Sequence, residues 1–101
     1  LVMMGKHGSP RLVQAQAIKD ATMAYFILKN HIENHLFIHY NGAYHSDHYE
    51  GILWYLKGEK PNLNYSTITT VQQKDVHTLN EENLNTADYI ICVDDNMTTT
   101  Y

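Results

Sequence analysis

Cysteine occurs once in this chain of 101 residues, at Cys92, proline only twice and glycine five times. A single thiol excludes a disulfide framework and any zinc site built from clustered thiolates. Lys and Arg number seven against eleven Asp and Glu, for a formal charge of −4, and they are spread thinly. With no basic stripe to neutralise a phosphate backbone, no nucleic-acid partner is expected. No apolar run approaches the roughly 18 residues of a membrane span, and the opening LVMMGKHGSP lacks the apolar core of a signal peptide. The chain opens on Leu1, on what reads as the tail of an apolar segment, so a piece of something longer is expected. A G-x-S-x-G elbow, a P-loop and a dinucleotide fingerprint are also missing, and Ser46 between His45 and Asp47 is not by itself a triad. What is present, 44% hydrophobic and 18% charged residues, suits one compact domain over residues 1–101 with a modest core.

The scarcity of proline and glycine leaves room for a long helix. Ser9 and Pro10 supply an N-cap and a first helical residue, and RLVQAQAIKDATMAYFILKNHIEN then runs on without Gly or Pro, so a helix is expected from Ser9 to His35. Ala17, Ala21, Ala24 and Leu28 form a stripe of mostly small side chains suited to close packing. Gln16, Asp20, Met23 and Ile27 form a second stripe, in which an amide and a carboxylate four residues apart point the same way. That pair either serves a site or caps a neighbouring backbone.

LFIHY, residues 36–40, reads as a buried strand ending in turn chemistry at Asn41 and Gly42. YEGILWYLKGEKP has helical spacing at Ile52, Tyr55 and Leu56, with a stop at Gly58 and Trp54 in the core. NYSTITTVQQ, residues 64–73, alternates like a strand, and ADYIICV, residues 87–93, reads as a third, buried one. One helical turn is expected at Glu81 to Leu84 between them. Strand, helix and strand in this order predict a right-handed parallel crossover. The expected class is therefore α/β: a partial open, mainly parallel sheet of about three strands, packed by a long N-terminal helix and a crossover helix.

That topology gives an address to HYNGAYHSDHYEG, residues 39–51, which holds three histidines and three tyrosines. A loop leaving the carboxyl edge of an open α/β sheet is where such folds bind ligands. Gly42 allows a tight turn or a close backbone approach. His45, Asp47 and His48 stand where side chains can converge, and an imidazole beside a carboxylate is the arrangement that orients a base or a metal ligand. Two histidines spaced H-x2-H fall short of the three or four ligands of zinc, so no isolated metal is predicted. The plainer alternative is that His45 and His48 cap the following helix. His31 and His35, four apart, could chelate a metal, but the favoured reading is that they satisfy the last carbonyls of the first helix.

AQAIKDATMAYFI, residues 15–27, followed by IHYNGAYHSDHYEGILWYL, residues 38–56, resembles the haem-binding, iron-regulated lipoprotein family typified by ChaN. In that family an AQ…RD…MA helix precedes an NGA-aromatic-HSD loop and a G-I…L helix. GAYH, residues 42–45, is also similar to the second of two G-x2-H motifs shared with Tiki proteases and erythromycin-esterase-like proteins. Lys19 stands where the family often has Arg. The family domain is more than twice this length, and its first half has no counterpart here, so the resemblance is to the C-terminal half.

The resemblance implies haem as ligand, a role in iron acquisition, and a place in the periplasm or outer membrane as a lipoprotein. It also implies association with the N-terminal half or with a second copy as a homodimer, because half a sheet exposes apolar surface. Iron(III) would take a tyrosinate or imidazole ligand, which makes Tyr44, His45, His48 and Tyr49 the cofactor-binding candidates, with Gln16, Asp20, Asn41 and Gly42 lining the cleft. The alternative is a metal-dependent or ester-directed hydrolase in which His45, oriented by Asp47, binds a metal or acts as base. A third reading is a structural α/β domain without chemistry.

Overall fold

The computed structural model describes residues 10–97, in two units, Leu1–Asn64 and Tyr65–Tyr101. In the first, helix α1 spans Pro10–Asn30. The N-cap expected at Ser9 lies outside the described residues. Asp20 and Ala24 are buried, and Val13, Gln16, Ala17, Ala21, Met23, Ile27 and Leu28 are half-buried. The two stripes anticipated from spacing are thus one broad inward face, and Ile18, Tyr25 and Phe26 lie outside it, exposed.

α1 ends five residues before His35, where its expected end lay. The Asn30 side chain donates to the Phe26 carbonyl at 2.8 Å, which offers the last turn an alternative to further helix. Asn34 then takes a left-handed conformation, φ 67°, and the His35 N–H closes the turn on the Ile32 carbonyl at 3.0 Å. Asparagine tolerates that conformation better than most residues. His31 and His35 consequently do not share a helix face.

Residues 36–40 form no ladder with any described strand. Leu36 and Tyr40 are 87% and 88% exposed. The apolar run was expected to be buried and paired; apolar pattern favours an extended backbone, but a strand exists only where a second one supplies donors and acceptors. The sheet therefore has two strands among the described residues, where about three were expected.

Helix α2 spans Ile52–Glu59 and buries Ile52, Leu53 and Leu56, on the side that packs against α1. Gly58, expected to stop it, lies inside it; the last bond runs from the Lys60 N–H to the Leu56 carbonyl at 2.8 Å. Trp54 was expected in the core and is instead 69% exposed. At 100° per residue it faces away from Ile52 and Leu56, and its ring meets Tyr55 edge-on at 5.0 Å.

In the second unit, β1 (Ile68–Gln73) and β2 (Tyr89–Asp94) pair in parallel, with Ile68 opposite Tyr89 and Gln73 opposite Asp94. The expected α/β class with a parallel sheet is what the chain adopts. β2 is not the buried strand anticipated: Tyr89 and Ile91 are exposed, as is Ile68 beside them. A polar clasp starts the ladder. Asp88 Oδ2 accepts from the Thr67 N–H at 2.8 Å, and the Asp88 N–H donates to Thr67 Oγ1 at 3.2 Å. A second clasp ends β1, where Gln73, only 3% exposed, uses its whole amide. Its Nε2 donates to the carbonyls of Asp75 and Thr78, and its Oε1 accepts from the Asn80 N–H and from Asn83 Nδ2, all within 2.7 to 2.9 Å. The helical turn anticipated after Asn80 is present as a 3₁₀ turn, Glu81–Asn83. Among the described residues, no helix is long and apolar enough to cross a membrane.

Candidate functional site

The loop between residue 40 and α2 is two successive 3₁₀ turns, Ala43–His45 and Asp47–Tyr49. The His45 N–H bonds the Gly42 carbonyl at 3.0 Å and the Ser46 N–H bonds the Ala43 carbonyl at 3.1 Å. Asn41 ties the first turn together, since its Nδ2 donates to the Gly42 carbonyl at 2.7 Å and to Ser46 Oγ at 3.1 Å. His48 and Tyr49 both have φ of 61°, in the left-handed region. That region costs a residue other than glycine roughly 1–3 kcal/mol, and such strain gathers at binding sites and switches.

The turn delivers His45 to α1. Its Nδ1 lies 2.5 Å from Asp20 Oδ1, and Asp20 is 4% exposed. A carboxylate this deeply buried needs a hydrogen-bond donor, and the imidazole N–H supplies it. Gly51 closes the arrangement from behind. With φ 61° it takes a conformation that side chains rarely adopt, and a Cβ there would collide with the His45 carbonyl group and sit 3.2 Å from Asp20 Oδ2. Glycine lets the start of α2 pass directly beneath the pair.

His45 also forms one wall of an open groove of about 440 Å³, within the size range of small-molecule and cofactor sites. Asn41 and Gly42 continue that wall, and α1 provides the other with Ile18, Lys19, Thr22 and Met23. The groove is predominantly apolar. Its polar side chains are those of His45, Lys19, Asn41 and Thr22, the Thr22 hydroxyl being bonded to the Ile18 carbonyl at 2.7 Å.

The residues singled out in the sequence are thus distributed unevenly. Asp20, Asn41, Gly42 and His45 come together, while Gln16 sits half-buried one turn before Asp20 and away from the groove. Tyr44 is exposed on the same turn as His45. His48 is exposed, and Tyr49 lies under the Lys57 ammonium, 5.3 Å from its ring centre. The carboxylate that reaches His45 is Asp20, from 25 residues away, and not the adjacent Asp47, whose buried Oδ1 has no hydrogen-bond partner among the described residues. Sequence reading missed Gly51 and the wall of Ile18, Lys19, Thr22 and Met23. The signal available was helical spacing, since Lys19 and Met23 flank Asp20 on the same side of α1. No group of three or more His, Cys, Asp or Glu able to hold a metal ion occurs among the described residues.

The groove lining offers side chains of the kinds that haem takes: an imidazole, apolar surface and a lysine. No curated protein and no solved structure matches the chain. The family model described as haem-binding uptake, Tiki superfamily, ChaN matches residues 2–56, a span that contains α1, the two 3₁₀ turns with the Asp20–His45 pair, and the buried start of α2. This chain belongs to the ChaN family of haem-binding uptake proteins, within the Tiki superfamily.

Proposed function

We propose that this chain binds haem in the groove between α1 and the loop of residues 41–51, and that it does so in iron acquisition at the cell envelope. The observation that carries the reading is the hydrogen bond from His45 Nδ1 to Asp20, made by a histidine that also lines the groove. It leaves Nε2 as the ring nitrogen available to a ligand. His45 would hold haem through this imidazole, and the bound group would supply a ferric iron that takes nitrogen donors. Ile18 and Met23 offer apolar surface to the macrocycle, and Lys19 a positive charge for a propionate. Tyr44, on the turn that carries His45, is the proposed second donor, with His48 and Tyr49 further along the loop.

Titration of the full chain with ferric haem, followed by absorption spectra, tests this. A saturable shift of the Soret band is expected for the native chain and its loss when His45 and Tyr44 are both replaced, as in the pair H45A and Y44F. An unchanged titration with the double variant removes these ligands from the proposal.

The same pair supports a second reading. An imidazole oriented by a buried carboxylate is also the form of a general base, and the G-x2-H motif ends on His45. In a hydrolase, His45 would take a proton from water or from a hydroxyl while Asp20 holds the ring. Hydrolysis of a broad ester and peptide panel, abolished by His45→Ala, would favour it. The absence of any hydrolysis would remove it.

A further inference from the structure

We propose that residues 42–50 form a strained strap and that the His45–Asp20 bond is its latch: breaking that bond lets the strap move off α1 and carries one wall of the groove with it. The latch acts on the width of the groove whatever occupies it, so it does not depend on haem.

The strain lies in two neighbouring residues. His48 and Tyr49 share a φ of 61°, and the turn Asp47–Tyr49 is kinked at His48, where ψ is 21°. Histidine visits the left-handed region more readily than most residues, but a side chain as bulky as tyrosine is an outlier there. Such conformations persist only where the surroundings over-determine them. A further cost sits beside them, because Asp47 Oδ1 is buried with no hydrogen-bond partner among the described residues. Opening would return that oxygen to water. Against this stand the bond from His45 Nδ1 to Asp20 Oδ1 at 2.5 Å, the Tyr49 ring under the Lys57 ammonium, and a long bond from the Glu50 N–H to the Asp47 carbonyl at 3.3 Å. The first is the driest, with the Asp20 side chain 6% exposed and that of His45 18%, and a hydrogen bond to a carboxylate is strongest away from water.

The two ends of the strap are held differently. Downstream, α2 is fixed by its buried Ile52, Leu53 and Leu56. Upstream, Leu36 and Tyr40 are exposed, and residues 36–40 join no ladder with a described strand. The hinge is therefore Gly51, whose φ of 61° and ψ of −122° glycine adopts at little steric cost. The Asn41 side chain binds the Gly42 carbonyl and Ser46 Oγ, which keeps the first turn intact. Asn41, Gly42 and His45, which line the groove, then leave α1 together.

Amide hydrogen exchange on the full chain tests this at the N–H groups of His45, Ser46 and Glu50, all of them bonded in the closed strap. In Asp20→Asn these amides should exchange about tenfold faster, the difference between a charge-assisted and a neutral hydrogen bond, with the β1–β2 ladder unchanged. His48→Gly separates a strained strap from an ordinary loop. Glycine relieves a left-handed residue, so H48G should slow exchange at the same amides and D20N/H48G should recover part of the native protection; in an unstrained loop glycine only adds freedom to the unfolded chain and protection falls. Unchanged or faster exchange in H48G would overturn the latch without any appeal to D20N. So would native exchange rates in a D20N chain that keeps the native circular dichroism spectrum, and so would native amides that exchange as fast as free peptide, since the strap would then already be open.

Discussion

Gly51 is the residue on which the site depends without contributing a functional group. Its φ of 61° and the space taken by the His45 carbonyl group leave no room for a methyl. Gly51→Ala should cost about 1–3 kcal/mol from the backbone alone, measured as a lower denaturant midpoint. It should also displace His45 from Asp20, measured as a changed His45 ring-nitrogen spectrum. A variant with native stability and native His45 signals would show that the loop relaxes at no cost. Asp20 illustrates a different residue-scale point. In the sequence it was one member of an amide and carboxylate pair on a helix stripe, and nothing there distinguished it from Gln16. Burial distinguishes them, because a carboxylate without water must find a donor and an amide at the half-buried position need not.

At the scale of elements, helices were read more accurately than strands. The 3.6-residue periodicity of α1 and α2 is local information, and both helices form where spacing placed them, with ends displaced by side chains such as Asn30 that compete for carbonyls. Strands depend on partners. β1 and β2 are each shorter than the stretches 64–73 and 87–93 that announced them, and residues 36–40 have no partner among the described strands. What holds the two-stranded sheet in register lies largely at its ends, in the Thr67–Asp88 clasp and the Gln73 amide. Gln73→Glu should show how much. A carboxylate keeps both acceptor bonds, to Asn80 and Asn83, but orphans the carbonyls of Asp75 and Thr78, at about 1–3 kcal/mol each. Amide hydrogen exchange in residues 74–84 should accelerate, and thermal stability should fall. Unaltered exchange there would mean that the connection is ordered by other contacts.

At the scale of the whole molecule, the outstanding property is exposed apolar surface. Tyr25, Phe26, Ile32, Leu36, Ile38 and Tyr40 are all exposed. The homodimer that the resemblance leads one to expect can be tested on this surface. Sedimentation velocity across a concentration series should show reversible self-association of the native chain, weakened when Leu36 and Ile38 are replaced by lysine. A monomer at every concentration would reject the homodimer. The sequence by itself determined the α/β class and the two helices, because periodicity and turn chemistry are encoded within a few neighbouring residues, while the family and the loop that carries His45 were legible through motif resemblance. Only the tertiary structure decided that Asp20 rather than Asp47 orients His45, that Gly51 lies against the pair, and that residues 36–40 stand without a described partner. Those are relations between residues far apart in sequence or between whole segments, set by burial and by competition for hydrogen-bond partners, and no local pattern carries them.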